Sequence, residues 1–384
     1  MDRAVILSIP DDDPAARARV AAGDAAGADL IELRADRLAR DELLRTMRAA
    51  AVPVVVTARS IAEGGAWDRG EDARLRLYRA ALDAGAFAVD VEVRSGLRAH
   101  VGGDLDPARV VLSHHGGPCA LPVLEDRYRE LAAVPGVRRK LVPHARTIDE
   151  VLAIREVLRR ATADGLSLAC FALGRPGRIS RLLAPSWGSW ATYGSSGPGR
   201  ETAEGQVPVA DLVEVHDVLG ITPRTALYGL LGADLGGSPS PAMHAAAYRS
   251  TRLDARYLPL ETDDLEPFER LRSRLPFEAV GVTAPHKESA AGRCLSLDPA
   301  AADAGAVNTV RFEGPAWAGW NTDGSALDRL LRARLDADGL RAVVVGSGGT
   351  ARTAADLLRR RGARVTIVNR TAERARRVAD LLGV

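Results

Sequence analysis

The chain has 384 residues, of which 46% are hydrophobic, and its 52 basic and 50 acidic side chains leave a net charge of +2. That length exceeds one ordinary domain and predicts two or three cores. The near-neutral charge argues against a nucleic-acid footprint or a disordered charged tail. Three scattered cysteines, Cys119, Cys170 and Cys294, lack metal-ligand spacing and cannot form an even framework, so a reducing compartment is expected. The apolar run in MDRAVILSIPDDD is too short for a signal segment or a membrane span. The expectation is a soluble cytoplasmic protein with neither nucleic acid nor membrane as partner. Homo-oligomer formation is left open.

In chain order, short Val/Ile/Leu-rich runs predict buried strands at Ala4–Pro10, Asp29–Asp36, Pro53–Ser60, Phe87–Val93, Arg109–His115, Arg138–Ala145, Leu166–Gly174 and Trp190–Ser196. Stretches with helical periodicity, such as Glu71–Ala84 and Thr147–Ala163, lie between most of them. Eight strand–helix units over residues 1–222 predict an α/β fold of the (β/α)8 TIM barrel type, with an open doubly wound sheet as the competing topology. The Gly/Pro/Ser-rich Gly194–Gly205 reads as a long mobile loop over the barrel top, followed by a last helix over Val207–Leu219. Gly220–Arg224, with its Thr-Pro breaker, is the expected linker, and a new strand starts at Thr225–Leu231. A second α/β region is expected over 225–335, and a partial Rossmann-type fold over 336–384.

The polar residues gather at the ends of the predicted strands. Glu32 and Arg34 lie late in the second, Arg59 ends the third with Glu63 just beyond, and Asp90 and Glu92 are in the fourth. His114 and His115 end the fifth, Lys140 is in the sixth, and Arg178 and Arg181 follow the seventh. In a barrel the C-terminal strand ends form the active-site face, so these groups converge. Lysine is almost absent: only Lys140 and Lys287 occur, and the other 50 basic residues are arginines. Arginine serves surface charge and carboxylate clamps, but not imine formation. One lysine among histidine, carboxylates and arginines suits condensation with a ketone, then proton transfer on an anionic substrate. An aldolase uses similar parts, and a rim ion-pair network is the plain structural alternative.

The runs IELRADRL (31–38), VTARSIAEGG (56–65), VDVEV (89–93), LSHH (112–115), RRKLV (138–142), GRISR (177–181), WGSWATY (187–193) and EGQ (204–206) resemble, in order and spacing, type I 3-dehydroquinate dehydratase. The resemblance implies that Lys140 forms an imine with the substrate ketone. It makes His115 the general base and acid, and Glu63 the group that positions lysine and histidine. Arg181 would bind the substrate carboxylate, and Glu32, Arg34 and Arg59 would hold ring hydroxyls and tune charge. Thr202 and Gln206 would belong to a loop closing over the substrate. This chain departs from the pattern after His115, where Gly116 and Gly117 stand instead of an acidic or amide residue and an aromatic. That is expected to loosen the histidine and lets His114 compete for its role. Thr202 replaces a serine, and Leu173-Gly174 replaces Met-Gly.

The second lysine lies in GVTAPHKES (281–289), between GGSPSPAMH (236–244) and the runs GAVNTV (305–310) and GWNTDG (319–324). VVVGSGGTAR (343–352) reads as strand, glycine turn and helix start, which offers backbone N–H groups to a pyrophosphate. The strand Ala363–Val368 is followed by Asn369, Arg370 and Thr371 where an NAD site carries an acid. Arg370 suits a 2′-phosphate, which favours NADP. From Leu227 onward these motifs resemble shikimate dehydrogenase. That implies a catalytic pair, Lys287 and Asp323, with Ser238, Ser240, Thr283 and Asn308 on the substrate. Gly346, Gly348 and Gly349 would hold phosphates, with Asn369, Arg370 and Thr371 at the far end of the cofactor. Gly237 and Ala245 depart from the family's His and Asn. Taken as the end of the polypeptide, Val384 leaves two strands of a nucleotide fold that usually has about six. Weak or absent dehydrogenase activity is then expected, and a sequence cut short explains it more cheaply than natural loss.

The leading expectation is a fused dehydratase and NADP-dependent dehydrogenase in the shikimate pathway, which makes aromatic amino acids. Its partners are 3-dehydroquinate and 3-dehydroshikimate or shikimate. The alternatives are a dehydratase with an inactive dehydrogenase module, and a non-catalytic binding protein on the same folds. No metal is expected, because the histidines lack ligand spacing.

Overall fold

The computed structural model describes residues 3–334 and 336–384. It forms two compact units. One holds the residues up to Thr225 together with Ser238–Leu260, and the other holds Ala226–Gly237 and Glu261–Val384.

The first unit is built on eight strands: β1 (Ala4–Ile9), β2 (Leu30–Arg34), β3 (Val54–Thr57), β4 (Ala88–Glu92), β5 (Val110–Pro118), β6 (Arg138–His144), β7 (Leu168–Cys170) and β8 (Ala191–Ser195). They are parallel, in the order β7-β6-β5-β4-β3-β2-β1-β8. The Trp190 N–H donates to the Leu168 carbonyl at 3.2 Å, and this contact draws β8 to β7 and closes the barrel. The doubly wound alternative is therefore excluded. Helices α1 (Pro14–Ala21), α2 (Arg40–Ala49), α3 (Glu71–Asp83), α4 (Leu121–Ala132), α5 (Val151–Ala163) and α6 (Arg178–Leu183) follow the strands. Asp13 caps α1 by accepting from the Ala16 N–H, with Pro14 at the first helical position. α5 buries Val151, Ile154, Val157, Leu158 and Ala161, a stripe at helical spacing.

Three local expectations need correction. Between β4 and β5 there is no α-helix, only single turns at Gly96–His100 and Pro107–Arg109. The helix expected over Val207–Leu219 is present but shorter: residues 209–215 are helical, and Asp217, with a left-handed φ of 41°, separates them from a turn at Val218–Gly220. β7 spans three residues rather than Leu166–Gly174, and pairing resumes as a single bridge between His144 and Leu173.

Strand alternation positions the site. The inner face of the barrel carries Ala4, Ile6, Leu30, Val55, Ala88, Val111, Val142, Ala169 and Ala191, with Phe171 and Tyr193, in one buried cluster. On the same alternating faces stand Ser8, Glu32, Thr57, Asp90, Ser113 and Lys140, all buried. Arg139 points the other way from its neighbour Lys140 and donates to the carbonyls of Leu131, Val134 and Val137.

After β8 come β9 (Ala226–Gly232), α7 (Ser240–Thr251) and β10 (Ala255–Glu261), then α8 (Leu265–Arg272), β11 (Phe277–Val282) and α9 (Lys287–Ala291). The chain continues through β12 (Ser296–Leu297), α10 (Pro299–Ala304), β13 (Thr309–Glu313), β14 (Ala316–Trp320) and α11 (Asp323–Arg332). It ends with β15 (Arg341–Val345), α12 (Gly349–Arg360), β16 (Arg364–Val368) and α13 (Ala372–Leu382). In the second unit β11 runs parallel to β9 and antiparallel to β13, and β13 pairs with β14. β15 and β16 form a parallel pair in which Val345 stands beside Val368. Among the described residues, no helix is long and apolar enough to cross a membrane.

Candidate active sites

Inside the barrel, Lys140 Nζ lies 3.1 Å from Glu32 Oε1, 3.4 Å from Asp90 Oδ2 and 4.0 Å from the centre of the Tyr193 ring. The amine is 4% exposed as a residue, so burying it without these carboxylates would be costly. Glu32 also accepts from Ser8 Oγ at 2.5 Å and Thr57 Oγ1 at 2.9 Å. Burial alone would raise its pKa, but the charges of Lys140 and Arg34 and the Ser8 hydroxyl bring the Glu32 carboxyl down to about 2. It is an anion throughout the physiological range.

The histidine is held from one side. His115 presents both its backbone N–H and its ring Nδ1 to Glu63 Oε2, each at 3.1 Å. Burial, followed by the charges of Arg59, Lys140 and Arg34, pushes the imidazole well below its ordinary value. It is therefore neutral near pH 7, and Nδ1 bonded to Glu63 leaves Nε2 as the basic nitrogen. Glu63 is raised to about 7, first by burial and then by Glu92 and Asp90, against the pull of Arg59. Arg59 joins the carboxylates: it donates to Asp90 and Ser113 at 2.9 Å and to Glu63 at 3.2 Å.

Gly116 and Gly117, expected to loosen the histidine, have φ of 90° and 80°, and a bulge interrupts the β5–β6 register after His115. His115 is nonetheless fixed by its two bonds to Glu63. His114 does not line the cavity; its Nδ1 is buried without a hydrogen-bond partner, and burial brings it down to about 4.

Arg181 is buried and packs 4.7 Å over the Phe171 ring. Its hydrogen bonds go to the carbonyls of Tyr193 and Glu204, and it has no carboxylate partner among the described residues. Burial and the neighbouring Arg178 lower its pKa to about 9, the signature of a cation short of a counter-charge. Thr202 Oγ1 is 2.8 Å from Ser8 Oγ, and the Thr202 N–H donates to Gln206 Oε1 at 2.7 Å, which ties the loop after β8 to the barrel mouth. Arg34 is engaged by Asp36 at 2.5 Å.

Lys140, His115, Glu63, Glu32, Arg34, Arg59, Arg181, Thr202 and Gln206 line one cavity of about 180 Å³. Sequence reasoning missed the aromatic walls Phe171 and Tyr193 and the supporting hydroxyls of Ser8 and Thr57. The run WGSWATY held the signal for Tyr193, since strand alternation turns it inward.

The second unit contains another lysine–carboxylate pair. Lys287 Nζ at the start of α9 donates to Asp323 Oδ2 at 2.6 Å, and Asn308 Nδ2 donates to Asp323 Oδ1 at 2.7 Å. The Thr322 N–H in turn fixes Asn308 Oδ1 at 3.1 Å. Burial opposes ionisation of Asp323, but the Lys287 ammonium and the Asn308 amide hold it below the ordinary carboxylate range. Thr350 adds a third contact to this pair that the sequence did not suggest.

Lys287, Thr283, Gly348, Gly349 and Thr350 line a cavity of about 690 Å³. Gly346 has a φ of 119°, open to glycine, and a β-carbon at Gly349 would stand 3.0 Å from Ala306 Cβ. The turn and the start of α12 thus form a cradle that suits a pyrophosphate. The Gly346 N–H donates to the Val368 carbonyl at 2.7 Å, so Asn369, Arg370 and Thr371 leave the sheet at the same edge as the turn. Asn369 bonds the Thr371 carbonyl, and Arg370 is exposed with no ion pair among the described residues. These three do not line the large cavity. Ser238 and Ser240 lie at the start of α7 in the first unit, where the Ser240 N–H donates to Ser238 Oγ at 3.3 Å. Among the described residues, no cluster of His, Cys, Asp and Glu could hold a metal ion.

The eight-stranded barrel brings a buried lysine, a carboxylate-held histidine and an arginine with no carboxylate partner among the described residues to one cavity. The family model of type I 3-dehydroquinase matches residues 4–223, more than half of the chain, and the chain belongs to that family. Models of the shikimate dehydrogenase substrate binding domain and of shikimate / quinate 5-dehydrogenase match residues 230–310 and 329–384. The chain is 29% identical over 380 residues to the chloroplastic bifunctional 3-dehydroquinate dehydratase/shikimate dehydrogenase of Arabidopsis thaliana, covering 93% of this chain and 63% of that protein. It is 43% identical over 165 residues to the shikimate dehydrogenase (NADP(+)) of Anaeromyxobacter sp. (strain Fw109-5), covering 42% of this chain and 59% of that protein. The chain therefore spans less than two thirds of the length of these relatives. The solved 3-dehydroquinate dehydratase of Geobacillus kaustophilus shares the barrel fold, with a TM-score of 0.50 and 22% identity over 57% of this chain and 90% of its own.

Proposed function

We propose that the chain dehydrates 3-dehydroquinate to 3-dehydroshikimate in the barrel and exchanges 3-dehydroshikimate and shikimate at the Lys287–Asp323 pair with NADP(H). The division of labour is 1–222 for the dehydratase, 225–335 for the second substrate and 336–384 for the cofactor. One observation carries the reading: a buried amine, a neutral histidine and an arginine with no ion pair among the described residues share one small cavity.

In the dehydratase, Lys140 condenses with the substrate ketone and releases water. The resulting iminium draws electrons from the adjacent carbon. His115 Nε2 takes the proton from that carbon, and the same imidazolium returns it to the departing hydroxyl, which leaves as water. Hydrolysis of the imine restores Lys140 and frees the enone. Arg181 pairs with the substrate carboxylate and gains its missing counter-charge. Glu32 and Asp90 hold the positive charge at the nitrogen, and Thr202 and Gln206 keep water out.

In the second unit, bound NADP(H) supplies or accepts a hydride. Lys287 and Asp323 move the proton at the substrate oxygen, and Asn308 and Thr283 orient the substrate. Gly346, Gly348 and Gly349 would receive the phosphates of NADP(H), and Asn369, Arg370 and Thr371 would hold its 2′-phosphate. We place the protein in the cytoplasm, a reading supported by three unpaired cysteines. Light scattering after size exclusion decides whether it works alone or as a homo-oligomer.

The test is one assay with 3-dehydroquinate and NADPH that records enone and NADPH absorbance together. Enone that rises first, followed by NADPH consumption, is the expected course. A folded protein that moves neither signal contradicts the reading.

A further inference from the structure

One side chain joins two parts of the second unit that the proposed reduction needs together. Thr350 is the second residue of α12 and follows directly on Gly348-Gly349. Its Oγ1 accepts from Lys287 Nζ at 3.2 Å and donates to Asp323 Oδ2 at 3.3 Å, while Nζ and Oδ2 are 2.6 Å apart. A hydroxyl carries one proton and two lone pairs, so it fills both roles at once and the three groups close a ring. The same turn meets Lys287 a second time: a β-carbon at Gly349 would stand 3.8 Å from Lys287 Cδ. Glycine there lets the turn seat against the lysine stem. Lys287 is the charged group that faces Asp323, and Glu288, next along α9, is engaged by Arg352 of α12.

We infer that Thr350 is a positioning residue that couples the proton equilibrium of the Lys287–Asp323 pair to occupation of the glycine turn by a pyrophosphate-bearing dinucleotide. The inference rests on the dehydrogenase reading of this site. Phosphate oxygens drawn onto the first N–H groups of α12 act on the backbone that carries the Thr350 hydroxyl. Any adjustment of that turn changes the hydrogen bonds the hydroxyl makes to both members of the pair. Coupling of this kind is reciprocal. If the dinucleotide changes proton affinity at Asp323, protonation there changes dinucleotide affinity by the same factor. Thr350 is one of the donors that hold Asp323 down, after Lys287 and Asn308.

The experiment is a 13C NMR titration of the Asp323 carboxyl in the full chain, identified by its loss in Asp323→Asn, with and without NADP+. Wild type, Thr350→Val, Thr350→Ala and Thr350→Ser are compared, with circular dichroism to establish folding. Without cofactor, Val and Ala should raise the Asp323 titration and Ser should restore it. NADP+ should move the titration in wild type and Ser, and leave Val and Ala unmoved. In the same samples kcat/KM for shikimate oxidation should fall about tenfold in Val and Ala, the loss of one hydrogen bond to a charged group.

An Asp323 titration that is identical in wild type and both hydroxyl-free variants overturns the coupling, as does a wild type indifferent to NADP+. The two ideas separate cleanly. A wild type with an NADP+-sensitive Asp323 but no shikimate-dependent NADP+ reduction keeps the coupling and rejects the dehydrogenase reading. Shikimate oxidation with an Asp323 insensitive to both NADP+ and Thr350 rejects the coupling alone.

Discussion

Glu63 and His115 form a pair in which the ordinary protonation order is inverted, with the carboxyl raised from 4.5 to about 7 and the imidazole pushed well below 6.5. Between pH 4.5 and 7 the folded protein binds a proton at Glu63 that the unfolded chain releases. The buried neutral His115 contributes the opposite sign below 6.5, and the Glu63 contribution to stability falls as pH rises through its own window. Glu63→Gln should remove this slope, which denaturant unfolding at several pH values measures. The same variant should lose the inflection near pH 7 in the dehydration rate and reduce kcat on the order of 10²-fold, because a neutral amide replaces the carboxyl that orients His115 and supports its protonated form. A variant with wild-type kcat and an unchanged pH profile assigns Glu63 no part in catalysis.

The two lysines were legible as residues because the chain replaces every other basic position with arginine. Asp90 and Tyr193 were harder, because their nearness to Lys140 arises from barrel closure and not from local spacing. Thr350 had no signal at all, since its contacts join positions 287, 323 and 350 through folding.

At the end of β5 the glycines do something the sequence did not suggest. Gly116 and Gly117 both take positive φ, and the space around each is open: no atom lies within 4 Å of where a β-carbon would stand. A substitution there meets backbone strain and no clash. Gly116→Ala and Gly117→Ala should each cost about 1 kcal/mol or a little more, read from the shift in denaturant midpoint at constant slope. A change in slope or no loss at all contradicts the left-handed assignment.

Most strands were readable from their apolar runs, and alternation along β6 separated Lys140 from Arg139. The helix after Pro208 ends earlier than expected because a φ of 41° at Asp217 has no reliable sequence marker. β7 is short because its continuous pairing with β6 stops at Leu141–Cys170, which depends on long-range pairing and not on local pattern.

Across the whole molecule the two lysine centres belong to different compact units. They share no side chain, so substitutions in one should leave the other unchanged. Lys140→Met should abolish enone formation from 3-dehydroquinate and leave shikimate-dependent NADP+ reduction at the wild-type rate. Lys287→Met should do the opposite. Loss of both activities in either variant contradicts independent sites. The fold class was legible at this scale because a strand–helix alternation repeated eight times allows few topologies. The grouping of Ser238–Leu260 with the first unit was not, because it depends on packing that no local pattern encodes.

The central claim is that Lys140 becomes covalently bound to substrate. Borohydride added during turnover of 3-dehydroquinate should reduce the imine and leave ligand mass on one peptide, the one containing Lys140. Peptide mass spectrometry reads this directly, and Lys287 serves as the internal control because the chain has no third lysine. The account predicts label at Lys140 in wild type and none in Lys140→Arg. Label at Lys287, or turnover with no label anywhere, would contradict it.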